Sequence, residues 1–151
     1  MKRIDTTENE NLIREVIVKY RGPKRKSPCF RKSDEVVAFI RKTLIDNSRE
    51  QFIVLFLDTG HKVVSYSVAA IGGRDSCPVD LGGIFQKALI VGASAIIVAH
   101  NHPTGELAPS EADNSVTREL DEAGKVLKVK VLDHIIITSD EYLSFNEVGL
   151  L

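Results

Sequence analysis

The chain has 151 residues, of which 43% are hydrophobic and 27% charged, with a formal net charge of −1. That length suits one compact domain with a sizeable core, and the composition excludes general disorder and a uniformly basic nucleic-acid binder. Cys29 and Cys77, the two cysteines, have 47 residues between them, which excludes a disulfide scaffold and a paired-cysteine zinc ribbon.

No signal-peptide-like start and no stretch of membrane-spanning length is found, so no membrane partner is expected and the cytoplasm is the expected compartment. Near the start, Thr7 and Glu10 have capping-box spacing ahead of Leu12, Ile13, Val16, Ile17 and Tyr20, which share one side of a helix. The next stretch, "RGPKRKSPCFRK", combines two prolines with a dense positive run and reads as a connector or arm. Its residues Lys24, Arg25, Lys26, Arg31 and Lys32 are either a solvated surface or a local phosphate contact.

Ser33 caps an expected helix whose apolar side is Val36, Val37, Phe39, Ile40 and Leu44. "QFIVLFLD" has strand composition, and "DTGHKVV" returns the chain into a second strand expected over about residues 61–69. After a turn-rich segment, an apolar-periodic run from Ile84 through Val91 predicts a helix stopped by Gly92. "SAIIVA" then reads as a short buried strand, which puts His100 just beyond its end on an exposed rim. Ser110 caps a helix over roughly 111–123, with Asp113 in its first turn, and "VLDHIIITSDEYLSF" supplies a strong strand, a turn and a weaker strand. The order predicts an α/β domain with a mixed, largely antiparallel sheet flanked by helices.

The polar residues concentrate in "HNHPTGELAPSEAD", residues 100–113. Two imidazoles one residue apart and a carboxylate eleven residues later, His100, His102 and Asp113, form a chemically coherent zinc-ligand set that leaves a position for water. The same residues also fit a plain reading: His100 orders a strand end, His102 is exposed, and Asp113 meets the positive end of a helix. Taken alone, the three residues leave both readings open.

The string resembles the JAMM signature, His-x-His, seven residues, Ser-x-x-Asp, and more closely its version in bacterial RadC-like proteins, whose JAB/MPN domain commonly carries His-Asn-His-Pro and a proline-preceded Ser-x-x-Asp. The resemblance runs from about Ser33 to Leu151 and takes in "EQFIVLFLD", "LDHIIITSDEYLSF" and "EVGL". It divides the chain into an N-terminal helix and basic connector, 1–32, and a RadC-like JAB/MPN domain, 33–151. The usual N-terminal helix-hairpin-helix region is not expected in so short a preceding segment. The resemblance implies a cytidine-deaminase-like fold, Zn2+ held by His100, His102 and Asp113, an upstream glutamate as general acid/base and an assisting Ser110.

Glu50, at the entrance to "QFIVLFLD", aligns with that upstream acid and is the expected base; its plain role is to solvate the strand entrance beside Arg49. Glu106 and Glu111 rank below it, because the resemblance gives neither the base role. Asn101 and Pro103 are expected to shape the ligand turn, and Asp133-His134 to play a strand-entry part, with a hydrogen bond to a ligand as the alternative. The segment "GGRDSCPVDLGGIF" departs from the Val-His-Pro-Arg-Glu-like stretch common in RadC-like proteins.

The leading expectation is therefore a zinc-dependent hydrolase, a metallopeptidase acting on peptide or isopeptide bonds of a peptide or protein substrate. The alternative is a DNA-associated accessory or protein-interaction module with a structural or catalytically weak zinc site. RadC-like proteins carry a DNA-repair assignment by name. A homodimer is a further expectation, since an exposed antiparallel edge permits self-association.

Overall fold

The computed structural model describes residues 26–43, 46–72 and 79–151. In chain order these form α1 (Ser33–Thr43), β1 (Gln51–Leu57), β2 (Val63–Ile71), α2 (Leu81–Ile90), β3 (Ala95–Asn101), α3 (Glu111–Leu127), β4 (Lys130–Ile137) and β5 (Tyr142–Ser144). The sheet order is β2-β1-β3-β4-β5, and every pairing is antiparallel except β3 with β4. The mixed, largely antiparallel sheet flanked by helices is thus observed.

β1 and β3 are buried along their whole length, as their unbroken apolar runs require of central strands covered on both faces. Side chains alternate between the faces. Ile53, Leu55 and Leu57 pack with Ile97, Ile135 and Ile137 against Val36, Val37 and Ile40 of α1. Phe52, Val54 and Phe56 pack with Ile96 and Val98 against Ile84, Phe85 and Ala88 of α2 and Leu120 of α3. The result is a three-layer domain with α1 on one side of the sheet and α2 and α3 on the other.

Several boundaries differ from the sequence expectation for local reasons. β2 starts at Val63 rather than near His61 because Asp58 Oδ1 accepts the N–H groups of Gly60 and Lys62, and His61 takes the left-handed backbone, φ 59°, to close the turn. α2 starts at Leu81, since the Asp80 side chain caps it by accepting Gly83 N at 3.0 Å. α3 continues past Ala123 to Leu127, ending where Lys128 turns left-handed. β3 includes His100 and Asn101, because its parallel pairing with β4 persists to Asn101 opposite Ile137. His100 is accordingly 1% exposed, not on an exposed rim.

The helix expected from Thr7 to Tyr20, Lys24, Arg25 and Cys77 lie outside the described residues. The described part of the arm is anchored to the domain: Val63 N donates to Pro28 O at 2.9 Å, and Phe30 joins the α1-side core. Among the described residues no helix is long and apolar enough to cross a membrane.

Gly124 permits the return from α3 into β4. A Cβ there would lie 2.4 Å from the backbone oxygen of Val129, which cannot swing aside as a flexible side chain does. Alanine gains about 1 kcal/mol of helix propensity over glycine, but the overpacking it creates costs about 1–3 kcal/mol. Gly124→Ala is therefore expected to lower the thermal unfolding midpoint; a midpoint at or above that of the parent would show that the turn relaxes freely.

Candidate metal centre

The start of β1, the end of β3, the middle of β4 and the start of α3 converge on one face of the sheet. Glu50 precedes β1, His100 and Asn101 end β3, His102 follows it, His134 lies in β4, and Ser110 caps α3. Side chains at the carboxyl end of a parallel strand, facing a helix N-terminus, are a recurrent arrangement for ligand sites in α/β proteins. Here the register places Phe52 opposite His100, and the two rings stack with centroids 5.9 Å apart.

Hydrogen bonds assign the imidazole tautomers. Thr117 Oγ1 donates its single proton to Asp113 O at 2.6 Å, so it accepts from His134 Nδ1, also at 2.6 Å. His134 Nε2 then carries a lone pair and accepts from His100 Nδ1 at 2.8 Å, leaving the lone pair of His100 on Nε2. His102 Nδ1 donates to Glu106 O at 2.6 Å, which leaves its lone pair on Nε2 as well. Those two Nε2 atoms stand 2.9 Å apart.

Two acceptors at that separation have no hydrogen bond to make unless a cation lies between them. The neighbouring carboxylate oxygens are acceptors too: Asp113 Oδ1 is 3.2 Å from His100 Nε2, and Asp113 Oδ2 is 3.8 Å from His102 Nε2. Ligand atoms of Glu50, His100 and His102 also fall within 4.8 Å of one another. A tetrahedral zinc with bonds of about 2.0–2.1 Å spaces its ligand atoms by roughly 3.3 Å. Imidazole nitrogens and carboxylate oxygens are the ligands zinc takes, so the residues present fit the ion.

The Ser-x-x-Asp spacing has a local explanation in helix capping. Ser110 Oγ accepts from Asp113 N at 3.1 Å, while Asp113 Oδ2 accepts from Ser110 N and Ser110 Oγ, both at 2.7 Å. The cap locks Oδ2 and leaves Oδ1 facing His100. Burial opposes ionisation of Asp113, yet the nearby His100 and the two hydrogen bonds that Ser110 donates outweigh it and hold the carboxyl well below the usual carboxylate range. Burial, reinforced by the neighbouring His100, pushes His134 down to about 3, so it stays neutral and serves as the acceptor that orients His100.

All five residues singled out from the sequence lie in this region. His100, His102 and Asp113 converge, Glu50 adjoins the two histidines, and the Ser110 hydroxyl is engaged with Asp113. Glu106 contributes its backbone carbonyl rather than its exposed carboxylate, and Glu111 is exposed in the first turn of α3. Sequence reasoning favoured a strand-entry part for His134, with the hydrogen bond to a ligand that is observed here as its alternative, and passed over Thr117. A signal for both was present: a lone histidine inside "LDHIIIT", and a threonine one helical turn after Asp113, hence on the same face.

A profile of the RadC-like JAB domain matches residues 30–150. The chain belongs to the RadC-like JAB domain family. Curated relatives of this RadC-like JAB domain include UPF0758 proteins from Flavobacterium johnsoniae, 45% identical over 67% of this chain and 44% of the relative, and from Acidithiobacillus ferrooxidans, 42% identical over 74% of this chain and 50% of the relative. Another, from Carboxydothermus hydrogenoformans, is 37% identical over 78% of this chain and 52% of the relative. The RadC-like chain thus spans about half the length of the curated relatives it matches.

The neutral His134 makes stability depend on pH in a definite direction. Between its ordinary value of 6.5 and about 3, the unfolded chain binds a proton at this residue that the folded chain refuses, so stability falls as pH drops through that window. Melting curves of the metal-free protein from pH 7 to pH 4 are expected to show a steeper decline for the parent than for His134→Asn, which has no proton to take up. Parallel curves would contradict a neutral buried imidazole.

Proposed function

We propose that this chain is a zinc-dependent hydrolase cleaving peptide or isopeptide bonds, acting in the cytoplasm. The observation that carries the reading is the convergence of two imidazole lone pairs and the Asp113 carboxylate beside a further carboxylate, Glu50. His100, His102 and Asp113 would hold the ion. When bound, zinc lowers the pKa of a water and polarises a carbonyl oxygen.

Glu50, beside the two histidines, then takes the proton of the attacking water and returns it to the departing amine. Ser110 directs its proton to Asp113 Oδ2, so its first task is to aim Asp113; a contact from its hydroxyl to a carbonyl oxygen requires that proton to turn away. His134 and Thr117 keep His100 in the tautomer that offers Nε2. Membership of the JAB family supports the metal chemistry.

Elemental analysis and a peptide screen test the reading together. About one zinc per parent chain is expected, with a large loss in His102→Ala. Against a panel of linear and isopeptide-linked peptides, the zinc-loaded protein is expected to cleave at least one member, and Glu50→Gln to load zinc yet cleave it about 10²–10⁴-fold more slowly. Little zinc in the parent after controlled addition would overturn the metal centre. Unchanged turnover in Glu50→Gln would remove its role as base.

A second reading, contact with DNA through Lys24, Arg25, Lys26, Arg31 and Lys32, is favoured by the exposure of Lys26, Arg31 and Lys32. The arm bridges to the sheet where Cys29 meets Lys62, beside the Leu57 end of β1 and opposite its Gln51 end. A seven-residue strand places those ends about 20 Å apart, so a phosphate held there lies away from the metal residues. Binding to unrelated DNA sequences that weakens steeply with salt, and is lost when the five residues are neutralised, is the expected outcome on this reading. Absence of binding at low salt would exclude it.

A further inference from the structure

Asn101 stands between the two site histidines in the chain, yet its side chain joins a different segment. Its Oδ1 accepts from Gln51 N at 2.8 Å, and its Nδ2 donates to Arg49 O at 2.9 Å. The residue between those two backbone groups is Glu50. The Glu50 carbonyl itself accepts from Gly72 N at 2.7 Å, and β2 ends so close that a Cβ on Gly72 would lie 3.2 Å from Glu50 Cβ. Three backbone groups, one from each of Arg49, Glu50 and Gln51, are therefore held, two of them by one side-chain amide of a residue that is 2% exposed.

We infer that Asn101 is a positioning residue for Glu50, fixing the backbone from which its carboxylate reaches the metal residues. This role rests on the functional reading of Glu50 given above. The stretch before Glu50 is turn and bend rather than strand, so the sheet alone does not define its course. The task requires an acceptor and a donor on one short planar group. Asparagine has both, aspartate lacks the donor, and glutamine places them a methylene too far out. Because successive strand residues face opposite ways, the tripeptide His100-Asn101-His102 directs its imidazoles toward Asp113, where they would hold the ion, while its amide sets the acid. The distance between acid and ligands is thus built into one strand end, and misplacement of a reacting group by 1 Å is enough to cost about 100-fold in rate.

A double-mutant cycle on the full chain separates this role from simple satisfaction of buried backbone groups. The variants are Asn101→Ala, Glu50→Gln and their combination. The readouts are the Zn2+ dissociation constant, by competition with a chromophoric chelator, and the visible absorption bands of the Co2+-loaded protein. Each single variant is expected to weaken Zn2+ binding by about 10–100-fold and to displace the Co2+ bands in the same direction. In the Glu50→Gln background, Asn101→Ala is expected to add nothing.

An Asn101→Ala effect of equal size in both backgrounds would mean that it acts through the histidines, and the inference falls. Parent-like values for Asn101→Ala would overturn it as well. Parent-like values for Glu50→Gln would instead show that Glu50 does not bear on the metal residues, and the inference falls with that contact, while the role of Glu50 as base is judged separately by turnover. Should Asn101→Ala not fold, Asn101→Gln enters the same cycle: it adds no charge and keeps both groups, but sets them a methylene too far out for Arg49 and Gln51.

Discussion

The orientation of the His100 ring depends on a chain of hydrogen bonds that has only one consistent direction. Asp113 O takes the Thr117 proton, which obliges Thr117 to accept from His134, which obliges His134 to accept from His100. Each step is forced by the proton inventory of a hydroxyl or a neutral imidazole. The last step directs the His100 Nε2 lone pair toward His102 and Asp113. Because the chain begins on α3 and ends on β3, the first turns of the helix and the end of the strand are positioned together.

The packing makes that chain affordable in a nearly dry environment. Burying an imidazole without partners costs several kcal/mol in apolar surroundings, and both nitrogens of His134 and Nδ1 of His100 are paired within the network. Aromatic rings flank the histidines: Phe52 stacks on His100, and Phe145 lies 4.6 Å from His134 at a 20° angle. Both phenylalanines belong to the buried core, so the same side chains that fill the domain also hold the rings in place. Low exposure keeps His134 neutral, and a neutral His134 is what the network needs.

Helix capping performs a second service in the same region. The Ser110–Asp113 box satisfies N–H groups that α3 would otherwise leave open at its start, and in doing so fixes which Asp113 oxygen faces His100. Asp133 does comparable work away from the site, accepting from Ser33, Ser144 and the Asn146 backbone and so tying α1 and β5 to β4. Burial raises its pKa while these bonds act in the opposite direction. The partners of both carboxylates thus pull in the same direction, downward; they outweigh burial at Asp113, whereas burial prevails at Asp133.

Much of this was legible from one dimension. The apolar runs at β1 and β3 announce central strands, Ser110 announces a helix start, and "HNHPTGELAPSEAD" announces the cluster of His100, His102 and Asp113, because local spacing and capping chemistry are properties of neighbours in the chain. Glu50 was reached through family resemblance rather than through its own surroundings. What the chain order left open was the part that depends on strand pairing. The parallel register of β3 with β4 sets His134 beside His100, 34 residues apart, and the antiparallel pairing of β1 with β3 lets Asn101 grasp both sides of Glu50, about 50 residues away. Register follows from hydrogen bonding and from which faces the helices cover, so contacts across the sheet were settled only when the whole core assembled.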